Sequence, residues 1–199
     1  NNPIYEYASY NHAMAVDLAL SIIETEIVVI CDSDVVFLSK DWDVSLFELF
    51  SKNVAVVGFK ATGRNDFPQI MLSAYKTEIL RNKNISFLPS FQKGEKISQY
   101  NDTGYQILNL SSDFDLIGLN YISTRENKNS YFSDIIGVEE YYINHKLIAS
   151  HFGRGSSSGA AKYFKNFPVP SKLKKLLGLY QIIKWKSKAK DLIIEQLKK

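Results

Sequence analysis

An α/β fold, a mixed sheet flanked by helices, is the architecture this sequence predicts. Three observations point to it. A helix-patterned segment leads through Thr25-Glu26 into the apolar run Ile27-Val28-Val29-Ile30-Cys31. A second apolar run, Asn53–Phe59, follows a short amphipathic stretch. Further strand-like segments recur as far as residue 151.

From His12 to Ile23, helical spacing puts Ala13, Val16, Ala19 or Leu20, and Ile23 on one side. The strand 27–31 follows. Asp41–Phe50 reads as a short helix with Trp42, Leu46 and Phe50 inward. Residues 53–59 form a buried strand, 63–68 a loop, and 69–80 a strand running into a short helix. The polar stretch 84–101, with Pro89 and Gly94, reads as loop, Asp102–Leu110 as a helix and Asp115–Ile122 as a strand. Tyr141–Ser150 is one further strand ending in His151, with His145 inside it as a surface or core residue. Gly153–Gly159 is a flexible loop.

With 199 residues, 45% of them hydrophobic, the chain can bury one sizeable core, taken as a domain over 1–170 with a tail over 171–199. The single cysteine, Cys31, excludes an internal disulfide. Its place in an apolar strand predicts a packed, inert thiol. No apolar run is long enough to span a membrane and no signal-peptide pattern is visible, so a cytoplasmic location is expected. The start, Asn1-Asn2-Pro3, points to a fragment or a processed chain.

The charge is uneven. Residues 171–199 hold nine lysines against Asp191 and Glu195, a net +7. The total is +3, so residues 1–170 carry −4. No nucleic acid partner is expected, because the basic residues gather in the tail and not around the aromatics of the body. In that tail Leu173, Leu176, Leu177, Tyr180, Ile183, Leu192, Ile193 and Leu197 alternate with lysines at helical spacing. Three readings stay open: a helix packed on the domain with a solvated lysine face, one lying peripherally on the anionic face of a membrane, or one that binds a partner.

The chemistry concentrates where the first apolar strand ends. Asp32 and Asp34, two residues apart, project to the same side of an extended chain and can converge on one cation. Hard oxygen ligands suit Mg2+ or Mn2+, ions that commonly bring substrate phosphates with them. The alternative is a strand-end turn with solvated acids, but acids directly after so apolar a strand favour a functional role. His151 is a second candidate ligand, since neutral imidazole suits Mn2+. Arg154, between two glycines, could reach a diphosphate, its guanidinium matching phosphate geometry. The loop 153–159 could close over a ligand and exclude water. Ser33 offers a backbone or hydroxyl contact. Asp102 fits either a catalytic base or a helix-start cap. His12 could face a ligand pocket, or cap or pack the first helix.

The order of these signals resembles the GT-A glycosyltransferases, a Rossmann-like fold of nucleotide-diphospho-sugar transferases, and their family 2-like group in particular. The likeness covers about residues 5–165. It rests on the helix after Ser9-Tyr10-Asn11-His12, the strand ending in Asp32-Ser33-Asp34, the Trp42 helix, Asp102-Thr103-Gly104 and the strand reaching His151. The resemblance implies that Asp32 and Asp34 bind the metal and the donor, with His151 completing the metal site. It implies Asp102 as the base of an inverting transfer, and Ser33, His12 and Arg154, on the residue reading above, would add donor contacts. The implied activity moves a sugar from a nucleoside-diphosphate sugar to a hydroxyl on a glycan or lipid-linked acceptor, in surface polysaccharide, lipopolysaccharide or glycoprotein glycan synthesis. The family's first strand and following loop would precede residue 1. The competing readings are a nucleotidyltransferase, whose Gly-rich basic loop is not visible near the start of the chain, and a non-catalytic carbohydrate- or membrane-binding module.

Overall fold

The computed structural model describes residues 8–60, 70–90, 102–127, 129–153, 164, 168 and 170–198, with side-chain detail from residue 10 onward. Its contacts divide the chain into two compact units, Asn1–Cys31 with Phe47–Leu119, and Asp32–Leu46 with Asn120–Lys199. The architecture is mixed α/β, as the alternating pattern predicts.

The first unit holds α1 (Ala8–Ile22), β1 (Ile27–Cys31), β3 (Val54–Phe59), β4 (Leu72–Lys76), α3 (Thr77–Asn82), a 3₁₀ helix (Tyr105–Ser112) and β5 (Asp115–Leu119). Its sheet runs β1-β4-β3-β5. Here β4 is antiparallel to both its neighbours, and β3 pairs with β5 in parallel, so the sheet is mixed. Ala13, Val16 and Leu20 of α1 pack against Val28, Ile30 and Val56, on the helix face the spacing predicts. Cys31 departs from expectation: it closes an edge strand and is exposed. The segment expected as an α-helix from Asp102 is instead the 3₁₀ helix. It is preceded by Gly104 at φ 77°, whose N–H donates to the Phe87 carbonyl. A Cβ at Gly104 would come within 2.9 Å of Ile70 Cγ2, so both the left-handed backbone and the close approach call for glycine.

The second unit holds β2 (Val35–Phe37), β6 (Tyr121–Ser123), β7 (Val138–Ile143), β8 (Lys146–Phe152) and α4 (Ser171–Leu197). Between β2 and β3 the chain forms α2 (Trp42–Phe47), where Leu46 is buried and Trp42 stacks on Phe37 at 3.7 Å between ring centroids. The second sheet, β2-β8-β7-β6, is antiparallel throughout. Two expected strands are differently cut. The segment 115–122 breaks at Asn120 into β5 and β6, which belong to different sheets. The strand expected over 141–150 is a hairpin, turning at Asn144 (φ 49°) and His145 (φ 64°). Two consecutive left-handed residues make the tight turn that matches strand twist. His145 is thus a turn residue rather than a strand residue.

The hairpin register sorts the second sheet into two faces. Glu139 pairs with His151, Tyr141 with Ala149 and Val35 with His151, which gathers Glu139, Tyr141 and His151 on one face. Ser150 and Phe152 point the other way and meet α4. Trp185 Nε1 donates to Ser150 Oγ at 2.9 Å, and Trp185 packs on Phe152 beside Leu38, Phe132, Val138 and Ala189. The inner side of this helix is therefore packed core, as the first reading of the tail expects. Among the described residues no helix is long and apolar enough to cross a membrane.

Candidate metal centre

All components of the centre lie in the second unit. Asp32, Ser33 and Asp34 do not continue β1 as an extended strand. The Val35 N–H donates to the Asp32 carbonyl at 3.2 Å, closing a turn that returns the chain into β2. The two carboxylates therefore converge through the turn, not through strand alternation. The Asp34 carbonyl accepts the Phe152 N–H at 3.1 Å, fastening the turn to the end of β8. That contact sets Asp34 beside His151. The imidazole Nε2 is 3.0 Å from Asp34 Oδ1 and 3.8 Å from Asp32 Oδ2. One ligand atom from each of Asp32, Asp34 and His151 can be chosen so that all three lie within 4.8 Å of one another.

The imidazole's other nitrogen is equally constrained. Nδ1 lies 3.1 Å from Glu139 Oε2 and 3.4 Å from the Tyr141 hydroxyl, which itself donates to Glu139 at 3.2 Å. Arg125 pairs with the other Glu139 oxygen at 3.2 Å. A carboxylate on Nδ1 turns Nε2 toward the two aspartates, the arrangement by which outer residues orient metal-bound histidines.

Among the described residues, the carboxylates of Asp32, Asp34 and Glu139 and the guanidinium of Arg125 gather around the imidazole. Burial alone lowers the His151 pKa, but hydrogen bonds and charge from Asp34 and Glu139 outweigh it and raise it to about 9. Burial first, then the charge and hydrogen bond of Glu139, push the Tyr141 phenol well above its ordinary value, so it stays a neutral donor. Arg125 offsets Glu139, and a neutral His151 would offer Nε2 to a cation beside the Asp32 and Asp34 carboxylates. Two carboxylates and one imidazole, partly shielded from water, suit a divalent ion of the Mn2+ type.

Ser33 is exposed at the tip of the turn. His12 and Asp102 belong to the first unit. His12 lines a groove of about 300 Å³ along α1 and β1, with Ala15, Val16, Ala19, Val28 and Cys31. Asp102 accepts the Thr103 N–H on its carboxylate at 2.7 Å, and its carbonyl accepts the Tyr105 N–H at 3.1 Å. Phe87 is fully buried in the first unit's core, edge-on to Tyr75. Arg154 and the loop after Gly153 lie outside the described residues.

Glu139 is the member that reading along the chain misses. Its signal was present: two adjacent acids between Val138 and Tyr141-Tyr142-Ile143, where an apolar strand would not carry them without partners. Glu140, pointing to the opposite face, is itself fully buried. It accepts the backbone N–H groups of Tyr131 and Phe132 and the Tyr142 hydroxyl.

No protein-family model matches the chain, and no curated protein matches it. Among solved structures it is similar to that of the mannosyltransferase PcManGT from Pyrobaculum calidifontis in complex with GDP-Man and Mn2+. The identity is 15% and the TM-score 0.40, over 90% of this chain and 52% of that one. The chain thus spans about half the length of that structure. A likeness of this degree assigns no activity.

Proposed function

We propose that the chain is a metal-dependent glycosyltransferase that takes a sugar from a nucleoside-diphosphate sugar to a hydroxyl acceptor in glycan or surface polysaccharide synthesis. The observation that carries this reading is the Asp32–Asp34–His151 cluster, held on Nδ1 by Glu139. The order of sequence signals that resembles GT-A enzymes supports it. Asp32, Asp34 and His151 hold Mn2+ or Mg2+, and the ion, when bound, neutralises charge on the departing diphosphate. The turn at Asp32-Ser33-Asp34 presents the exposed Ser33 hydroxyl to the donor. His12 and Arg154 are assigned to donor binding from the sequence alone, Arg154 for a guanidinium that matches phosphate geometry.

Asp102 is assigned as the base. Its carboxylate takes the acceptor hydroxyl proton while the oxygen attacks the anomeric carbon and the nucleoside diphosphate leaves. The Thr103 N–H on that carboxylate fixes its orientation.

The test is the melting temperature with UDP, GDP, dTDP and CMP, each with and without Mn2+, in the wild type and Asp34→Asn. A ligand that binds only the folded state raises the melting point by mass action. A Mn2+-dependent rise with one nucleotide, lost in Asp34→Asn, supports the reading and names the nucleotide class. A nucleotide response that ignores Mn2+ and survives the substitution overturns it.

A further inference from the structure

The helix α4 is apolar on two sides. Gly178, Trp185 and Ala189, with the half-buried Ile182, form the inner side. On the side away from them Leu173, Leu176, Tyr180 and Ile183 recur at steps of three and four residues, which aligns them on one face. They are 42%, 62%, 57% and 58% exposed. Four large apolar side chains in one exposed row, on a helix already anchored by its other side, mark a contact surface rather than scattered surface residues.

The charges say what the surface meets. Lys172, Lys175, Lys186 and Lys190, all exposed, run along one flank of the row. On the other flank Lys184 and Lys188 reach Asp134. The segment 171–199 carries +7. A second copy packed antiparallel on this face would set one lysine row against the other. A negatively charged surface would meet the lysines and the apolar row together.

We propose that the outer face of α4 docks on an anionic lipid bilayer, with the helix lying in the plane of the headgroups and Leu173, Leu176, Tyr180 and Ile183 dipping below them. Apolar insertion and lysine–headgroup attraction then add, as in interfacial amphipathic helices. Trp185 and Ser150 keep the inner side on the sheet, so docking requires no unfolding. The inference does not depend on the Asp32–Asp34–His151 cluster, which lies on the sheet face turned away from α4.

Co-sedimentation of the full chain with vesicles tests it. Vesicles of phosphatidylglycerol and phosphatidylcholine in equal parts are expected to pellet the protein, and pure phosphatidylcholine vesicles to leave it in the supernatant. Near 1 M salt, where screening reaches about 3 Å, the anionic binding should weaken strongly. Changing Lys172, Lys175, Lys186 and Lys190 to Gln should reduce partitioning several-hundred-fold, at about fivefold per lysine. The double variant Leu176→Ser with Ile183→Ser should abolish it while leaving the circular dichroism and melting temperature unchanged. Absence of wild-type binding to anionic vesicles overturns the proposal. So does binding that survives in the double variant, or sedimentation equilibrium showing a wild-type dimer that the same variant dissolves.

Discussion

Replacing Glu139 with Gln isolates what the carboxylate does for His151. Glu139 Oε2 is 3.1 Å from Nδ1, and the two side chains are 10% and 7% exposed. The carboxylate holds the Nδ1 proton and leaves the Nε2 lone pair for a cation. An amide in its place accepts only a neutral bond, about half as strong. Bonds to charged groups contribute about 1.5–3 kcal/mol and neutral ones about 0.5–1.5. The difference, about 1–1.5 kcal/mol, is about tenfold in intrinsic Mn2+ affinity.

The pH decides whether that tenfold is seen. His151 titrates at about 9, so at neutral pH a cation must displace its proton. That competition costs about tenfold in apparent affinity for each unit of pH below the pKa. Glu139 is one of the groups that raise this pKa, so the variant loses some competition along with some affinity, and the two effects partly cancel at neutral pH. Near pH 9 the competition is down to about twofold and the deficit stands clear. Calorimetric titration of Mn2+ under argon near that pH is expected to show the variant about tenfold weaker. Wild-type affinity should also climb as the pH rises from neutral. Equal affinities in a folded variant would refute the positioning role of Glu139. A flat wild-type pH profile would refute His151 as a ligand.

Three further outcomes concern stability. Hydrogen bonds from Lys184 and Lys188 outweigh burial and lower the Asp134 pKa from 3.8 to about 2. Its contribution is therefore present above 3.8 and fades as the pH falls through about 2. With the side chain about half exposed, Asp134→Asn should lower the urea-unfolding free energy by about 0.5–1 kcal/mol at neutral pH, and the two proteins should draw together in acid. Gly104→Ala forces a side chain onto φ 77° and against Ile70 Cγ2. It should cost about 1–3 kcal/mol, read as a lower melting temperature in scanning calorimetry. Trp185→Ala should cost about 3–5 kcal/mol, whereas Trp185→Phe, which mainly loses the bond to Ser150, should cost about 1–2 by the same urea titration.

How much could be read from the chain differs by element, for physical reasons. The inner face of α1 was readable because a single helix face buries a single row at helical spacing, and Ala13, Val16 and Leu20 are that row. α4 was only half readable, because apolar residues on two faces blur into one pattern until the fold shows which side Trp185 takes. Asp32 and Asp34 stood out against an apolar strand, but the means of their convergence did not. Strand alternation and a tight turn both bring positions two apart together, and only the Val35 N–H to Asp32 bond separates them. The hairpin at Asn144-His145 was hidden because its turn lacks glycine, and strand-forming residues continue on both sides. Missing it concealed the register that sets Glu139 opposite His151. Asp102 carried the helix-start signal, yet Gly104 in a left-handed conformation redirects the chain into a 3₁₀ helix.

Whether Asp32, Asp34 and His151 bind one divalent ion is read by an electron paramagnetic resonance titration of free Mn2+ with wild type and Asp34→Asn. Saturation at one ion per wild-type chain is expected, displaced by Mg2+ and lost in a variant of unchanged circular dichroism. A variant that binds Mn2+ as well as the wild type, or a folded wild type that leaves the free-ion signal undiminished at millimolar protein, would contradict it.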